Sequence, residues 1–234
     1  MQRNLALFDL DHTLLPLDSD QAWAHYLVRL GVVDGARHAD KIDRYYRAYA
    51  AGELDMDAYL DATLAPLASH PRAQLEQWHA QFMRDVIVPA IRPEARALIA
   101  RHRDAGDLCC IVTATNEFVT APIASALGVE HLLAIRLGTH DGTAGGEYTG
   151  KSVGIPSFRE GKIARAHAWL ASLGRSFEDF GQSWFYSDSI NDVPLLEHVT
   201  HPVATNPDAR LAELAAVRNW PVLQLFGEAG VAAG

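Results

Sequence analysis

The chain has 234 residues, 49% of them hydrophobic, enough to bury one substantial core and carry a smaller appended domain. Its formal net charge of -9, without a run of like charge, argues against a nucleic-acid partner or an anionic membrane surface. Cys109 and Cys110 are neighbours whose side chains point apart on a strand, so a disulfide scaffold is excluded and a reducing cytoplasm fits.

The first residues, Met1-Gln2-Arg3-Asn4, lack the pattern of a secretory leader, and no stretch is long and uncharged enough to span a bilayer. An apolar run, 5–8, reads as a strand that empties directly into Asp9, Asp11 and Thr13. From Pro16 to about Arg92 no strand is predicted. Apolar residues there recur at helical spacing (Trp23, Tyr26, Leu27, Leu30, then Tyr59, Leu60, Leu64), with breaks at Gly31, Gly52, Pro66 and Pro71. That pattern predicts an inserted bundle of about four helices.

Beyond it the rhythm changes. A helix over 94–105 is closed by Gly106, and a strand over 108–112 runs into Thr113-Ala114-Thr115-Asn116. A strand over 132–137 precedes a glycine-rich region, 138–161, read as a β-hairpin excursion and a loop. A helix over 161–173 ends at Gly174, and strands follow at 184–186, 203–204 and 222–225. The alternation predicts an α/β fold, a Rossmann-like doubly wound parallel sheet. The expected organisation is a core made of 1–15 and 93–234, with 16–92 as a helical cap.

In such a sheet, ligands gather at the carboxyl ends of the strands. Asp9 and Asp11 end the first, and two carboxylates at the end of a buried strand raise each other's pKa unless a cation holds them. Thr113 ends the second, where a small-residue turn can bring backbone amides onto a phosphate. Lys162 stands at a helix start, and Asp188 and Asp192 follow the strand 184–186. Four aspartates against one lysine call for a divalent cation before any phosphate can enter. The histidines show no H-x-x-x-H spacing and the cysteines no C-x-x-C, so no zinc motif is present.

These elements, D-x-D-x-T, a strand-terminal Thr, a Lys and D-x-x-x-D in that order, resemble the haloacid dehalogenase superfamily of phosphohydrolases. The helical insertion after the first motif resembles the phosphoserine phosphatase-like and histidinol-phosphatase-like branch, with its helical C1 cap. The resemblance implies a phosphatase in which Asp9 attacks phosphorus to form an aspartyl-phosphate, Asp11 acts as acid and base, and Thr13 orients the loop. Lys162 would neutralise charge between nucleophile and phosphate. Thr113, Ala114, Thr115 and Asn191 would bind the phosphate or substrate. Asp9, the backbone carbonyl of Asp11, and Asp188 would ligate Mg2+, with Asp192 holding a water on the metal.

In phosphoserine phosphatases a cap Glu meets the substrate ammonium and a cap Arg its carboxylate. Here Asp18 falls at the Glu position and Asp61 where the Arg would be. An aspartate facing a carboxylate is repelled by on the order of 1–4 kcal/mol near a surface. The expected substrate is therefore a small phosphomonoester with a cationic organic part, such as histidinol phosphate. Trp23, Tyr45, Tyr46 and Tyr49 could stack on an imidazole, although aromatics at helical spacing also build cores. His25 and His70 are read as solvent or packing residues. A phosphoserine phosphatase, or a phosphotransferase passing the phosphoryl group to an alcohol, would carry the same motifs. A phospho-receiver module also clusters aspartates around Mg2+. A dinucleotide-binding module is disfavoured because no G-x-G-x-x-G follows the first strand.

Overall fold

The first strand, β1 (Leu5–Phe8), is buried along its whole length and divides its side chains between two apolar clusters. Leu5 and Leu7 enter one cluster, Ala6 and Phe8 the other. A strand apolar on both faces must be covered on both. The computed structural model describes residues 3–33, 43–45, 47–48 and 53–226.

β1 pairs in parallel with β2 (Leu108–Asn116) on one side and β5 (Ser183–Ser187) on the other, with Leu5 opposite both Leu108 and Ser183. β3 (His131–Thr139), β4 (Tyr148–Val153), β6 (His201–Thr205) and β7 (Val222–Leu223) complete a seven-stranded sheet, ordered β4-β3-β2-β1-β5-β6-β7. Among the described strands only the β3–β4 pair is antiparallel, which is the expected hairpin excursion. The chain builds outward from β1 first through β2 and then through β5. The carboxyl ends of these three strands thus meet at a switch point.

Among the described residues the inserted stretch holds α1 (Ser19–Arg29), α2 (Met56–Ala68) and α3 (Arg72–Phe82), the last continued by a π-helical turn, Met83–Ile87, and by Val88–Ala90; residues 43–45 and 47–48 are helical as well. Pro66 does not break the chain as expected. It lies inside α2 and is buried, so ring packing offsets the missing backbone donor near the helix end. Gly52, Tyr46 and Tyr49 lie outside the described residues. α2 rides closely on β4 at Gly150, where φ is +72° and an added Cβ would stand 2.9 Å from Ala68 Cβ.

Among the described residues the other α-helices are α4 (Pro93–Asp104), α5 (Glu117–Leu127), α6 (Glu160–Ser172), α7 (Val193–His198) and α8 (Ala209–Arg218). α6, α7 and α8 cover the Leu5/Leu7 face through Ala166, Leu170, Leu195 and Leu211. The opposite face holds an aromatic core. Trp23 packs 5.3 Å from Phe82 and 5.7 Å from Phe118 between ring centres, and His79 Nε2 donates to the Val119 carbonyl at 3.0 Å. Trp23 is therefore a packing residue, not a platform for substrate. His70 packs against Trp78, and His25 pairs with Asp43 at the surface. Among the described residues no helix is long and apolar enough to cross a membrane. Cys109 and Cys110 are free thiols.

Candidate active site

The end of β1 carries Asp9, 4% exposed, whose backbone N–H donates to the Tyr186 carbonyl of β5 at 2.9 Å. Its Oδ1 accepts a 2.8 Å hydrogen bond from Lys162 Nζ, which also donates to Asp192 Oδ2 at 2.7 Å. Lys162 is fully buried in the first turn of α6. That turn needs Gly161, because a Cβ there would lie 2.1 Å from the Pro156 carbonyl oxygen. Burial disfavours the ammonium, but Asp192 and Asp9 outweigh it and raise the lysine above its ordinary value. Burial likewise pushes Asp9 up, more than Lys162 pulls it down, and lifts Asp192 to about 6. One lysine does not balance this group of acids.

Asp11 is oriented from two directions. Its Oδ1 accepts from the Ser19 N–H and its Oδ2 from the Thr115 hydroxyl, both at 2.8 Å. Burial, with Asp18 adding repulsion, raises it to about 6. Thr13 is fully buried; its hydroxyl donates to Asp188 Oδ1 at 3.1 Å and accepts from the Asp188 N–H at 3.0 Å. This stitches the β1 loop to the β5 loop. Asp188 is raised well above its ordinary value by burial and by the charges of Asp9 and Asp192.

Asp9, Asp11 and Asp188 open onto a cavity of about 110 Å³. Asp9, Asp11, Thr113, Ala114, Thr115 and Asp188 form its floor, with Ser189 beside them. Asp18, Asp20, Gln21, Tyr45, Leu54, Met56 and Tyr59 form the wall on the side of the inserted helices, and His12 and Asp208 complete the rim. Six aspartates line the cavity, and among the described residues no lysine or arginine does. Asp18 also caps α1, accepting from the Gln21 N–H at 2.8 Å. Burial raises both Asp18 and Asp20 to about 6.

Lys162 and Asp192 stand behind Asp9, touching it or its partner rather than the cavity. Two residues expected to bind substrate do not line the cavity. Asn191 is buried off the cavity wall, where its Oδ1 meets the Arg159 guanidinium at 3.3 and 3.4 Å. Asp61 is exposed and pairs with Lys151 of β4 at 2.6 Å. Residues two apart on a helix differ by about 200° in direction. With Tyr59 turned into the cavity, Asp61 faces away from it. Thr115 has a partly different task from the one expected, since its hydroxyl is bonded to Asp11. Asp20, His12, Asp208 and the inward face of Tyr59 were not anticipated. The run Asp18-Ser19-Asp20 held a signal for Asp20, because two acids in one helix N-terminal turn are more than capping needs.

Among the described residues, no three acidic, imidazole or thiol side chains stand as a ready-made metal cage. The donor chemistry nonetheless fits a hard divalent cation. Asp9, Asp188 and Asp192, the side chains expected around the ion, all offer carboxylate oxygens. Among the described residues Asp192 Oδ1 is buried without a hydrogen-bond partner. Burial and the charges of Asp9 and Asp192 push Asp188 up, and what pulls it down is hydrogen bonding from uncharged groups, the Thr13 hydroxyl first.

Residues 6–197 match the family model of haloacid dehalogenase-like hydrolases. A histidinol-phosphatase of Neisseria meningitidis serogroup C (strain 8013) is 44% identical over 221 residues, covering 94% of this chain and 98% of that protein. The crystal structure of a Bordetella pertussis Tohama I protein of unknown function is 51% identical with a TM-score of 0.90, over 97% of this chain and 100% of the other. A substrate-bound phosphoserine phosphatase shares the fold, with a TM-score of 0.68 at 18% identity over 95% of this chain and 93% of the other. With the matched segment running from β1 into α7, and so across the ends of β1, β2 and β5 that carry Asp9, Thr113 and Asp188, the chain belongs to the haloacid dehalogenase-like hydrolases and is a phosphatase.

Proposed function

We propose that this phosphatase hydrolyses a small phosphomonoester with a cationic organic part, histidinol phosphate foremost, in a Mg2+-dependent reaction through a phosphorylated Asp9. The observation that carries the reading is the pairing of Asp9, held by buried Lys162, with Asp11, oriented by Ser19 and Thr115 and raised to about 6. In this reading Asp9 is the nucleophile, supported by its hydrogen bond from Lys162 at the end of β1. Asp11 sits at an acidity suited to giving and taking a proton near neutral pH.

In this reading an Asp9 oxygen bonds to phosphorus while the bond from phosphorus to the ester oxygen breaks. Asp11 gives its proton to the departing alkoxide, which leaves as an alcohol. Water then attacks the same phosphorus, Asp11 takes a proton from it, and the bond between phosphorus and Asp9 breaks to release inorganic phosphate. Lys162 holds Asp9 in line throughout, and Thr113 with the neighbouring amides of Ala114 and Thr115 receives phosphoryl oxygens. Asp9, the backbone carbonyl of Asp11, and Asp188 would hold Mg2+, with Asp192 as an outer partner; bound there, the ion offsets the charge of carboxylates and phosphate. Residues 16–92 would act as a cap over a core of 1–15 and 93–234, and the enzyme would work in a reducing cytoplasm. No nucleic-acid or membrane partner enters this reading.

The acid-lined wall and the 44% identity to a histidinol-phosphatase support the substrate class. Release of phosphate from histidinol phosphate, phosphoserine and p-nitrophenyl phosphate tests it. The expected result is highest kcat/KM on histidinol phosphate, loss of activity with EDTA, return with Mg2+ and inhibition by Ca2+, which can engage both oxygens of a carboxylate. Asp9→Asn should abolish turnover while the circular dichroism spectrum is kept. Preference for phosphoserine would overturn the substrate; an active Asp9→Asn protein would overturn the nucleophile.

A further inference from the structure

Asp20 lies in the first turn of α1, but it is Asp18 that caps the helix. The Asp20 carboxylate is 6% exposed, reaches the cavity, and is gripped from two sides by uncharged donors. The Tyr59 hydroxyl, from α2, donates to its Oδ2. Asn116 Nδ2, from the end of β2, donates to its Oδ1 at 3.2 Å. Asn116 is itself fixed, because its Oδ1 accepts the Val119 N–H that begins α5. Three elements far apart in sequence thus converge to hold one carboxylate still at the cavity wall.

The other acids of the cavity have visible employment. Asp9 meets Lys162, Asp11 meets Ser19 and Thr115, Asp188 meets Thr13, and Asp18 caps α1. Asp208 accepts from the backbone amides of Leu211 and Ile190. Asp20 differs in that both of its oxygens accept from uncharged side chains of facing elements, and among the described residues no lysine or arginine lines the same cavity. A buried carboxylate with only neutral partners is costly. Nothing in catalysis at Asp9 requires it, so its rigid placement needs another reason.

We propose that Asp20 is the specificity-determining residue of the cavity, receiving the ammonium or imidazolium of the substrate while the phosphoryl group faces Asp9. Tyr59 and Asn116 act on it as positioning residues, pre-orienting the carboxylate so that little ordering is left to the moment of binding. The assignment rests on the phosphomonoesterase reading above and adds the group that selects among esters. Because Tyr59 belongs to the inserted helices, selection and the seating of α2 against the site share one hydrogen bond.

The test compares 3-aminopropyl phosphate with propyl phosphate on the parent, Asp20→Asn and Tyr59→Phe. The parent is expected to favour the amine-bearing ester. Asp20→Asn should raise KM for that ester by about tenfold or more, the loss of one buried charge pairing, with little change in kcat or in either constant for propyl phosphate. Tyr59→Phe, which keeps the carboxylate but releases it, should shift KM in the same direction by less. Equal losses on both esters would make Asp20 structural and overturn the assignment, as would a parent that hydrolyses both without preference. Should Asp20→Asn fail to fold, Tyr59→Phe decides: no selective change overturns the proposal. A parent inactive on both esters and on p-nitrophenyl phosphate would instead bring down the phosphomonoesterase reading itself.

Discussion

The Thr115 hydroxyl donates a 2.8 Å hydrogen bond to Asp11 Oδ2, joining the end of β2 to the loop after β1 across 104 residues. A carboxyl group with one oxygen held in this way and the other on the Ser19 amide has little freedom to turn. That matters for a group asked to deliver a proton and then take one back. Thr115→Val keeps the shape and removes the donor. A hydrogen bond to a charged group is worth about 1.5–3 kcal/mol, so kcat should fall by roughly tenfold or more on alkyl phosphates. The loss should be smaller on p-nitrophenyl phosphate, whose leaving group needs less protonation. Equal losses on both, measured at saturating substrate, would mean that Thr115 serves phosphate binding instead.

Lys162 bridges Asp9 and Asp192 with its ammonium, and it is fully buried. Removing one partner of such a group leaves the others uncompensated, at about 3–5 kcal/mol. Lys162→Met should therefore lose activity and show a lower Tm in metal-free buffer. Its pH dependence has a definite sign. Acids whose folded-state pKa is raised destabilise the fold when ionised, and protonation relieves this as pH falls. The Tm deficit should shrink between pH 8 and pH 5.5. A deficit independent of pH would show that packing, not charge, is what the lysine supplies.

His79 links the inserted helices to α5 through Val119, and burial lowers it to about 4 despite that hydrogen bond. Its ordinary value is 6.5, so between those two pH values the unfolded chain binds more protons than the folded one. The contribution is full above about 6.5 and is lost as pH falls toward 4, about 3 kcal/mol in all. Denaturant unfolding of the parent and of His79→Gln, which can still donate to Val119, should diverge across this window. The parent should have the steeper decline. Parallel stability curves would remove His79 as the cause.

Asp61 pairs with Lys151 at the surface, with both side chains mostly exposed. Exposed pairs contribute little, and the cavity lies on the other side of α2. Asp61→Arg should leave kcat/KM for histidinol phosphate and for phosphoserine each within about twofold of the parent, a change of no more than roughly 0.4 kcal/mol. A gain in phosphoserine turnover would restore Asp61 to the specificity argument.

Asp9, Asp11, Lys162 and Asp188 were readable from the chain itself because each is tied to a strand end or helix start by a few covalent bonds. Once the hydrophobic pattern marks where 5–8 and 184–186 end, the next residues have nowhere to go but the carboxyl edge of the sheet. The apolar alternation likewise specified a covered parallel sheet, since a strand with Leu5, Ala6, Leu7 and Phe8 in succession cannot face water. Tertiary structure alone decided what stands opposite those acids. The rotation of α2 about its axis, which brings Tyr59 inward and turns Asp61 out, is set by packing against β4 at Gly150 and by the closeness of Ala68 there. The meeting of Asp20 with Asn116, and of Thr115 with Asp11, depends on contacts closed over many tens of residues. Local periodicity tells which helix face is apolar but not which partner it finds, because that choice is made by the shape of the surface it packs against.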